Sequence, residues 1–203
     1  MSNLEPQYLQ YLLMKTLIRT SLSVMVLLVA VSTCHAQKKK EPVIEIPDFK
    51  VDDKTKKVIY QEVMQQQGSK DVLYEKALSW ATKYYKNPRD VLREKDKDKG
   101  RLKAKARFYI FYTDPKKGTK TRAHTIEYTL VVELKEGRYR YEVTGINYKA
   151  TSYQGIEQWI DANSRQYSYA TASYLAQVDE EIQKLINLLK TAMAKTEKAA
   201  EGW

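Results

Sequence analysis

Between Ile126 and Val143 the chain alternates apolar and polar residues in two successive runs, joined through Glu136-Gly137. Period-two alternation is the pattern of a half-buried strand, and a two-residue link ending in glycine closes a hairpin. Ile126, Tyr128, Leu130, Val132 and Leu134 share one face of the first strand, and Tyr139, Tyr141 and Val143 share one face of the second. A two-residue turn sets Leu134 opposite Tyr139, Val132 opposite Tyr141 and Leu130 opposite Val143. A slip of one residue would turn one strand's apolar set to solvent, so pattern and turn length specify the same register. A chain containing this hairpin must build an antiparallel sheet and cover one of its faces.

The remaining pattern supplies both. Val58 to Met64 reads as a strand with Val58, Tyr60 and Glu62 on one side and Ile59, Gln61 and Val63 on the other, ended by Gly68. Ser69 is suited to cap a helix that carries Asp71 in its first turn and Leu73, Ala77, Trp80, Ala81 and Tyr84 as a buried stripe, and Asn87-Pro88 stops it. Val91 to Lys95 leads through Asp98-Lys99-Gly100 into a strand from Arg101 to Thr113, with Leu102, Ala104, Ala106, Phe108, Ile110 and Tyr112 on one face. Asp114 to Gly118 makes a looser turn before Arg122 to Lys135, and Arg138 to Tyr148 is the last strand. After Ser152, Gly155 to Ile160 reads as a short helical or packing segment. A long helix runs from about Tyr169 to Lys198, its charged, alanine-rich end fraying from Ala194. Leu175, Val178, Ile182, Leu185, Leu189 and Ala192 form its apolar seam. A half-covered sheet needs such a helix as a lid; the alternative use of the seam is a helix-mediated dimer. The expected fold is therefore α+β, an antiparallel sheet in β-α-β4-α order with the last helix on one face. It spans residues 58–193 as a single domain, after an extended lead-in over 37–57 and before a tail over 194–203.

Four segments carry a resemblance. They are Val58-Ile59-Tyr60-Gln61-Glu62-Val63; Ser69 with Leu73-Tyr74, Ala77 and Trp80; Asp98-Lys99-Gly100-Arg101-Leu102; and Gly137-Arg138-Tyr139-Arg140-Tyr141-Glu142-Val143. Over roughly Lys57 to Tyr148 the chain resembles a bacterial secreted family, the domain of unknown function numbered 4468, whose fold is TATA-binding-protein-like. The resemblance implies that fold and brings no activity, cofactor or catalytic residue with it. It does not import DNA binding either, because fold does not fix function. The outward sheet face here is charged and of mixed sign, without the apolar wedges that kink a duplex.

The N-terminal residues bear on location. Lys15 and Arg19 precede an apolar run from Leu22 to Val31, followed by Cys34-His35-Ala36-Gln37. Two basic residues, a short apolar stretch and a small residue before a polar tail make a secretory signal peptide over residues 1–36, with Met14 as its natural start. The run is shorter than the ~20 residues of a membrane span. Cleavage between Ala36 and Gln37 would release the protein to the periplasm or the exterior; a lipid on Cys34 would instead anchor it to the envelope. Cleavage also removes the one cysteine and one of the two histidines. A triad could then be built only around His124, which reads as a solvated edge histidine.

The chain carries a formal charge of +10. Export makes nucleic acid an unfavourable partner and leaves an anionic polymer, a lipid surface or an acidic protein as counter-charge. On the strand face opposite the apolar residues stand Lys103, Lys105, Arg107 and Tyr109 from one strand, Glu127 and Glu133 from the next, and Arg138, Arg140 and Glu142 from the last. Lys103, Lys105, Arg107, Tyr109, Arg138 and Arg140 form the candidate docking face. Glu133 falls opposite Arg140, which instead marks a self-paired, solvated face. No cysteine or histidine cluster, glycine-rich phosphate loop or nucleotide motif calls for a metal or cofactor. The expected role is a non-catalytic envelope binding module, monomeric in preference to dimeric. The alternative is an envelope polymer hydrolase using carboxylates such as Asp48, Asp52, Asp53, Glu157 or Asp161. Mass spectrometry of the protein recovered from cells should find Gln37 as its first residue; a chain still beginning at Met14, or a diacylated Cys34, contradicts release.

Overall fold

The structure is a computed structural model that describes residue 14, residues 45–161 and residues 163–195. Apart from Met14, the signal segment with Cys34, the Ala36/Gln37 junction and residues 196–203 lie outside the described residues. In chain order the elements are β1 (Tyr60–Gln65), α1 (Lys70–Tyr84), α2 (Pro88–Val91), β2 (Leu92–Asp96), β3 (Arg101–Thr113), β4 (Lys120–Lys135), β5 (Arg138–Lys149), β6 (Tyr153–Gly155), α3 (Glu157–Ile160) and α4 (Tyr169–Ala194). One antiparallel sheet runs β1-β5-β4-β3-β2, with β6 also paired to β5. The α+β class and the antiparallel sheet with its long C-terminal helix are as expected.

The β4–β5 hairpin has the register that its alternation requires: Leu134 faces Tyr139, Val132 faces Tyr141 and Leu130 faces Val143. Gly137 takes φ 71° in the turn, a conformation that costs glycine nothing. Beyond Val143 the ladder changes phase. Thr129 pairs with Thr144 but Glu127 pairs with Asn147, so β5 carries one extra residue. Gly145, at φ 61°, lies inside this bulge. Taking up the extra residue in a bulge is what keeps the second half of β5 aligned with the core. Tyr139, Tyr141 and Val143 are buried before it, and Ile146 and Tyr148 after it. A strict two-residue alternation would have placed Ile146 on the solvent face.

Helices α1 and α4 both pack over the apolar sheet face. Ser69 Oγ accepts the Val72 N–H to cap α1, as its sequence calls for. Leu73, Tyr74, Ala77 and Ala81 are buried, while Trp80 and Tyr84 are only half-buried at the rim and stack on each other with ring centres 5.2 Å apart. Pro88 opens a further short helix after the stop at Asn87, so the next strand begins at Leu92. Helix α4 begins at a reciprocal cap: Thr171 N–H donates to Ser168 Oγ and Ser168 N–H to Thr171 Oγ1. Its seam of Leu175, Val178, Ile182, Leu185 and Leu189 lies in the core and is spent within this chain. The seam closes on Met193, which is fully buried, and Ala192 is only half-buried. Lys195 has already left helical geometry, which ends the helix short of the expected Lys198.

Two further features of the fold differ from the sequence reading. The segment after Ser152 begins with a strand, β6, before its short helix. His124 is not a solvated edge residue. It stands on the central strand β4, on the core side, half-buried with ring centres 5.3 to 5.5 Å from Tyr148, Trp159 and Tyr174. Because Gly145 holds a φ of 61°, Gly145→Ala should lose about 1–2 kcal/mol to backbone strain alone in urea unfolding. Deleting Gly145 removes the extra residue and leaves Val143, Ile146 and Tyr148 in plain alternation on the core face, so that variant should still unfold cooperatively; a deletion that abolishes cooperative unfolding contradicts the phase assignment.

Candidate functional site

The outward face of the sheet is built from rows of paired residues. One row crosses five strands as Asp96, Arg101, Glu133, Arg140 and Val63, and the next as Glu94, Lys103, Val131, Glu142 and Gln61. Arg140 Nη2 lies 3.1 Å from Glu133 and 3.6 Å from Glu142, so the cross-strand pair read from the sequence is present. Opposite charges in adjacent strands each contribute about 0.2–1 kcal/mol and leave little net field above the sheet.

The six candidate docking residues consequently do not make one patch. Arg138 and Arg140 border a shallow depression of about 360 Å³ beside Val63, Lys135 and Glu133, at the hairpin end. Lys105, Arg107 and Tyr109 stand rows away along β3. Lys103 lies between the two groups in the Glu94–Glu142 row.

At the Lys105–Arg107 end, Glu127 departs from its expected place on a solvated face. It is only 3% exposed. Its row continues through Asn147 to Gly155, so β6 extends the sheet beside it, and the stems of Lys105 and Arg107 cover it from the β3 side. Lys105 Nζ lies 2.8 Å from Glu127 Oε1, while Arg107 Nε and Nη2 donate to Oε2 at 3.0 and 2.9 Å. Burial alone would push this carboxyl up; the bonds from Lys105 and Arg107 outweigh it and hold it below the usual carboxylate range. Two cations thus share one anion, and this end of the face stays positive. Tyr153 lies under the Arg107 guanidinium at 5.8 Å, and Arg122 stacks on the Tyr109 ring at 3.9 Å.

The same residues border a groove that the sequence reading missed. Strand β2 pairs β3 only over Arg101 to Ala104, so among the described residues the edge of β3 from Lys105 to Thr113 has no strand partner. A groove of about 620 Å³ follows that edge. Tyr84, Tyr85, Phe108 and Tyr128 supply its aromatic wall, and Lys86 and Arg93 join Lys105 and Arg107 around it; Asp90 and Glu181 also line the groove, so its basic residues outnumber its acidic ones by four to three once Glu127 is counted. Burial pushes up the phenols of Tyr84, Tyr85 and Tyr128, so the wall is neutral at ordinary pH. At the far end, Gln177 of α4 caps the strand: Phe111 N–H donates to its Oε1 at 2.9 Å, and its Nε2 donates to the Phe111 carbonyl at 2.8 Å. The short length of β2, imposed by Pro88 and the helix it starts, was the available signal for an open edge.

Three of the carboxylates considered for hydrolysis, Asp52, Glu157 and Asp161, serve local structure. Asp52 accepts the Thr55 N–H and hydroxyl and the Lys54 N–H, bonds that hold it low and close a turn. Glu157 accepts the Val58 N–H at 2.9 Å and lies 3.5 Å from Lys57 Nζ, tying α3 to the start of the sheet. Asp161 accepts the Asn163 N–H beyond the end of α3. Among the described residues no group of three His, Cys, Asp or Glu side chains is placed to hold a metal ion.

Residues 60–149 match a family model described as a domain of unknown function (DUF4468) with TBP-like fold. Two crystal structures are similar over most of their length. A DUF4468 family protein from Bacteroides ovatus ATCC 8483 is 18% identical with a TM-score of 0.58, covering 76% of this chain and 93% of that one. A TBP-like protein from Parabacteroides distasonis ATCC 8503 is 18% identical with a TM-score of 0.54, covering 68% and 92%. At this identity the likeness is one of fold. Among curated proteins no sequence matches the chain.

The Glu127 cluster makes an asymmetric prediction. Glu127→Gln leaves two half-exposed cations that water can solvate, and should cost about 1–2 kcal/mol in urea unfolding at neutral pH. Lys105→Met with Arg107→Met keeps the covering stems but removes both charges, strands a buried carboxylate and should cost more, about 3 kcal/mol. The pH dependence should also reverse. In the natural protein the folded pKa is depressed, so this stabilisation is present above the unfolded value near 4.3 and is lost as pH falls through the folded pKa. In the double variant burial acts unopposed and raises the folded pKa, so this site gains stability as pH falls from neutral. Equal costs, or parallel pH profiles, contradict the assignment.

Proposed function

We propose that this chain, whose residues 60–149 form a DUF4468 domain, is an exported, non-catalytic interaction module that engages an envelope component along the open edge of β3. The observation that carries this reading is the groove itself: an unpaired strand edge, an aromatic wall and a positive rim occur together at one place. Exposed edges are ordinarily shortened, charged or covered because they recruit other chains. Here the edge is charged and its far end is closed by Gln177, yet the stretch between remains open.

Two further observations support the reading. Residues 14–37 have the charge and apolar pattern of an export signal. The carboxylates of Asp52, Glu62 and Glu127 are all held below the usual range by hydrogen bonds, the opposite of what a general acid requires. Arg138 and Arg140 fit less well as the working end, because Arg140 already serves Glu133 and Glu142.

The test is retention of the processed chain on isolated envelope fractions at low salt. Lys86 and Arg93 are exposed and make no ion pair among the described residues, so reversing them leaves the Glu127 cluster intact. Lys86→Glu with Arg93→Glu should reduce retention about tenfold, whereas Arg138→Glu should change it little. Retention that is absent, or indifferent to the Lys86/Arg93 reversal, overturns the reading. Release of soluble glycan fragments by the purified chain would replace it with the hydrolase.

A further inference from the structure

We propose that the groove along β3 is a strand-addition site for an extended peptide in which acidic and apolar residues alternate. The proposal rests on the interaction-module reading and names its partner. Its first ground is the direction of the backbone. Phe111 turns both its N–H and its C=O away from β4, where Gln177 meets them. In an antiparallel strand this direction alternates residue by residue. Tyr109 and Arg107, two and four residues back, therefore turn theirs to the same open side. Between Ala104, the last residue that β2 pairs, and the Gln177 cap, the slot is about 20 Å long at ~3.4 Å per residue. That length holds a peptide of about five residues.

The side chains then choose the sequence of the occupant. Residues of an added strand that sit opposite Arg107 and Tyr109 point to the outward face. There they meet Lys105 and Arg107, which share one carboxylate between them, and Arg93 on the rim. Acidic side chains fit these positions. The intervening residues, opposite Ala106 and Phe108, point inward to Tyr84, Tyr85 and Tyr128, where apolar side chains fit. A second copy of β3 is a poor occupant, because it would set Lys105 and Arg107 against their own counterparts. Gln177 already shows the chemistry in miniature: its carboxamide makes the two hydrogen bonds that a strand residue would make. This is the β-augmentation mode of recognition, in which backbone bonds hold the peptide and alternate side chains select it.

The test uses the processed full chain and a fluorescently labelled, end-blocked peptide, Glu-Val-Glu-Val-Glu, followed by anisotropy. The Tyr109 N–H points outward, so Tyr109→Pro removes a donor from the slot without removing a bond to β4. Tyr109→Val keeps that donor and removes only the ring. The peptide should bind saturably, Tyr109→Pro should weaken it about tenfold, and Tyr109→Val by less than about twofold. The lysine counterpart, Lys-Val-Lys-Val-Lys, should not bind. In the unsubstituted protein, intermolecular NOEs should connect peptide amides to those of Arg107 and Tyr109, a readout that stands even if the proline variant fails to fold. Equal effects of the two substitutions, or binding without those NOEs, overturns strand addition. Absence of peptide binding also overturns it, and inorganic polyphosphate then separates the two ideas. Polyphosphate binding that Lys86→Glu with Arg93→Glu abolishes leaves the interaction surface standing, while loss of both probes together with envelope retention overturns both.

Discussion

Much of the functional end of this molecule depends on one irregularity in the pairing of β4 with β5. The bulge at Gly145 absorbs one extra residue, which keeps Ile146 and Tyr148 on the core side after Val143, and so allows β5 to continue long enough to pair β6. That strand completes the row from Glu127 through Asn147 to Gly155 and takes the Glu127 carboxylate out of water. A buried carboxylate needs partners, and it draws Lys105 and Arg107 inward from β3. The positive rim of the groove is thus held by a chain of consequences that starts at a glycine on another strand.

The hairpin was legible because two independent signals, alternation and turn length, specify the same register. The Ser69 cap, the α1 stripe and most of the α4 seam were legible for a similar reason: each is a local pattern with one periodicity. The bulge was harder, since Gly145 looks like any interior glycine until Ile146 and Tyr148 are seen to fall out of phase with Val143. Glu127 and His124 were misplaced for a common reason. Their exposure is set by elements brought in from elsewhere in the chain: β6, which extends the sheet beside Glu127, and Tyr148, Trp159 and Tyr174 around His124. These neighbours are distant in sequence, and no local pattern announces them. The groove follows the same logic, for it is bounded by the shortness of β2 and by one glutamine on α4.

The charge of the chain reads differently once it is distributed. Counted along the sequence, the basic residues of β3 and β5 suggest a broad cationic face. Placed in rows, most of them neutralise the neighbouring strand, as Arg140 does with Glu133 and Glu142. What survives is a local imbalance, two cations on one anion at the β3 edge, next to an aromatic wall whose phenols burial keeps neutral. On the proposed reading, the feature of this chain that serves recognition is an unfinished sheet edge.

The openness of the β3 edge is the claim on which the functional account stands, and residue-resolved amide hydrogen exchange of the free protein measures it directly. The account predicts an alternating profile along the strand. Ala106 and Phe108, bonded into the sheet, should exchange slowly, as should Phe111 under the Gln177 cap, while Arg107 and Tyr109 exchange at least about a hundredfold faster. Uniform protection from Lys105 to Phe111 would mean that this edge is already covered, and would contradict the account.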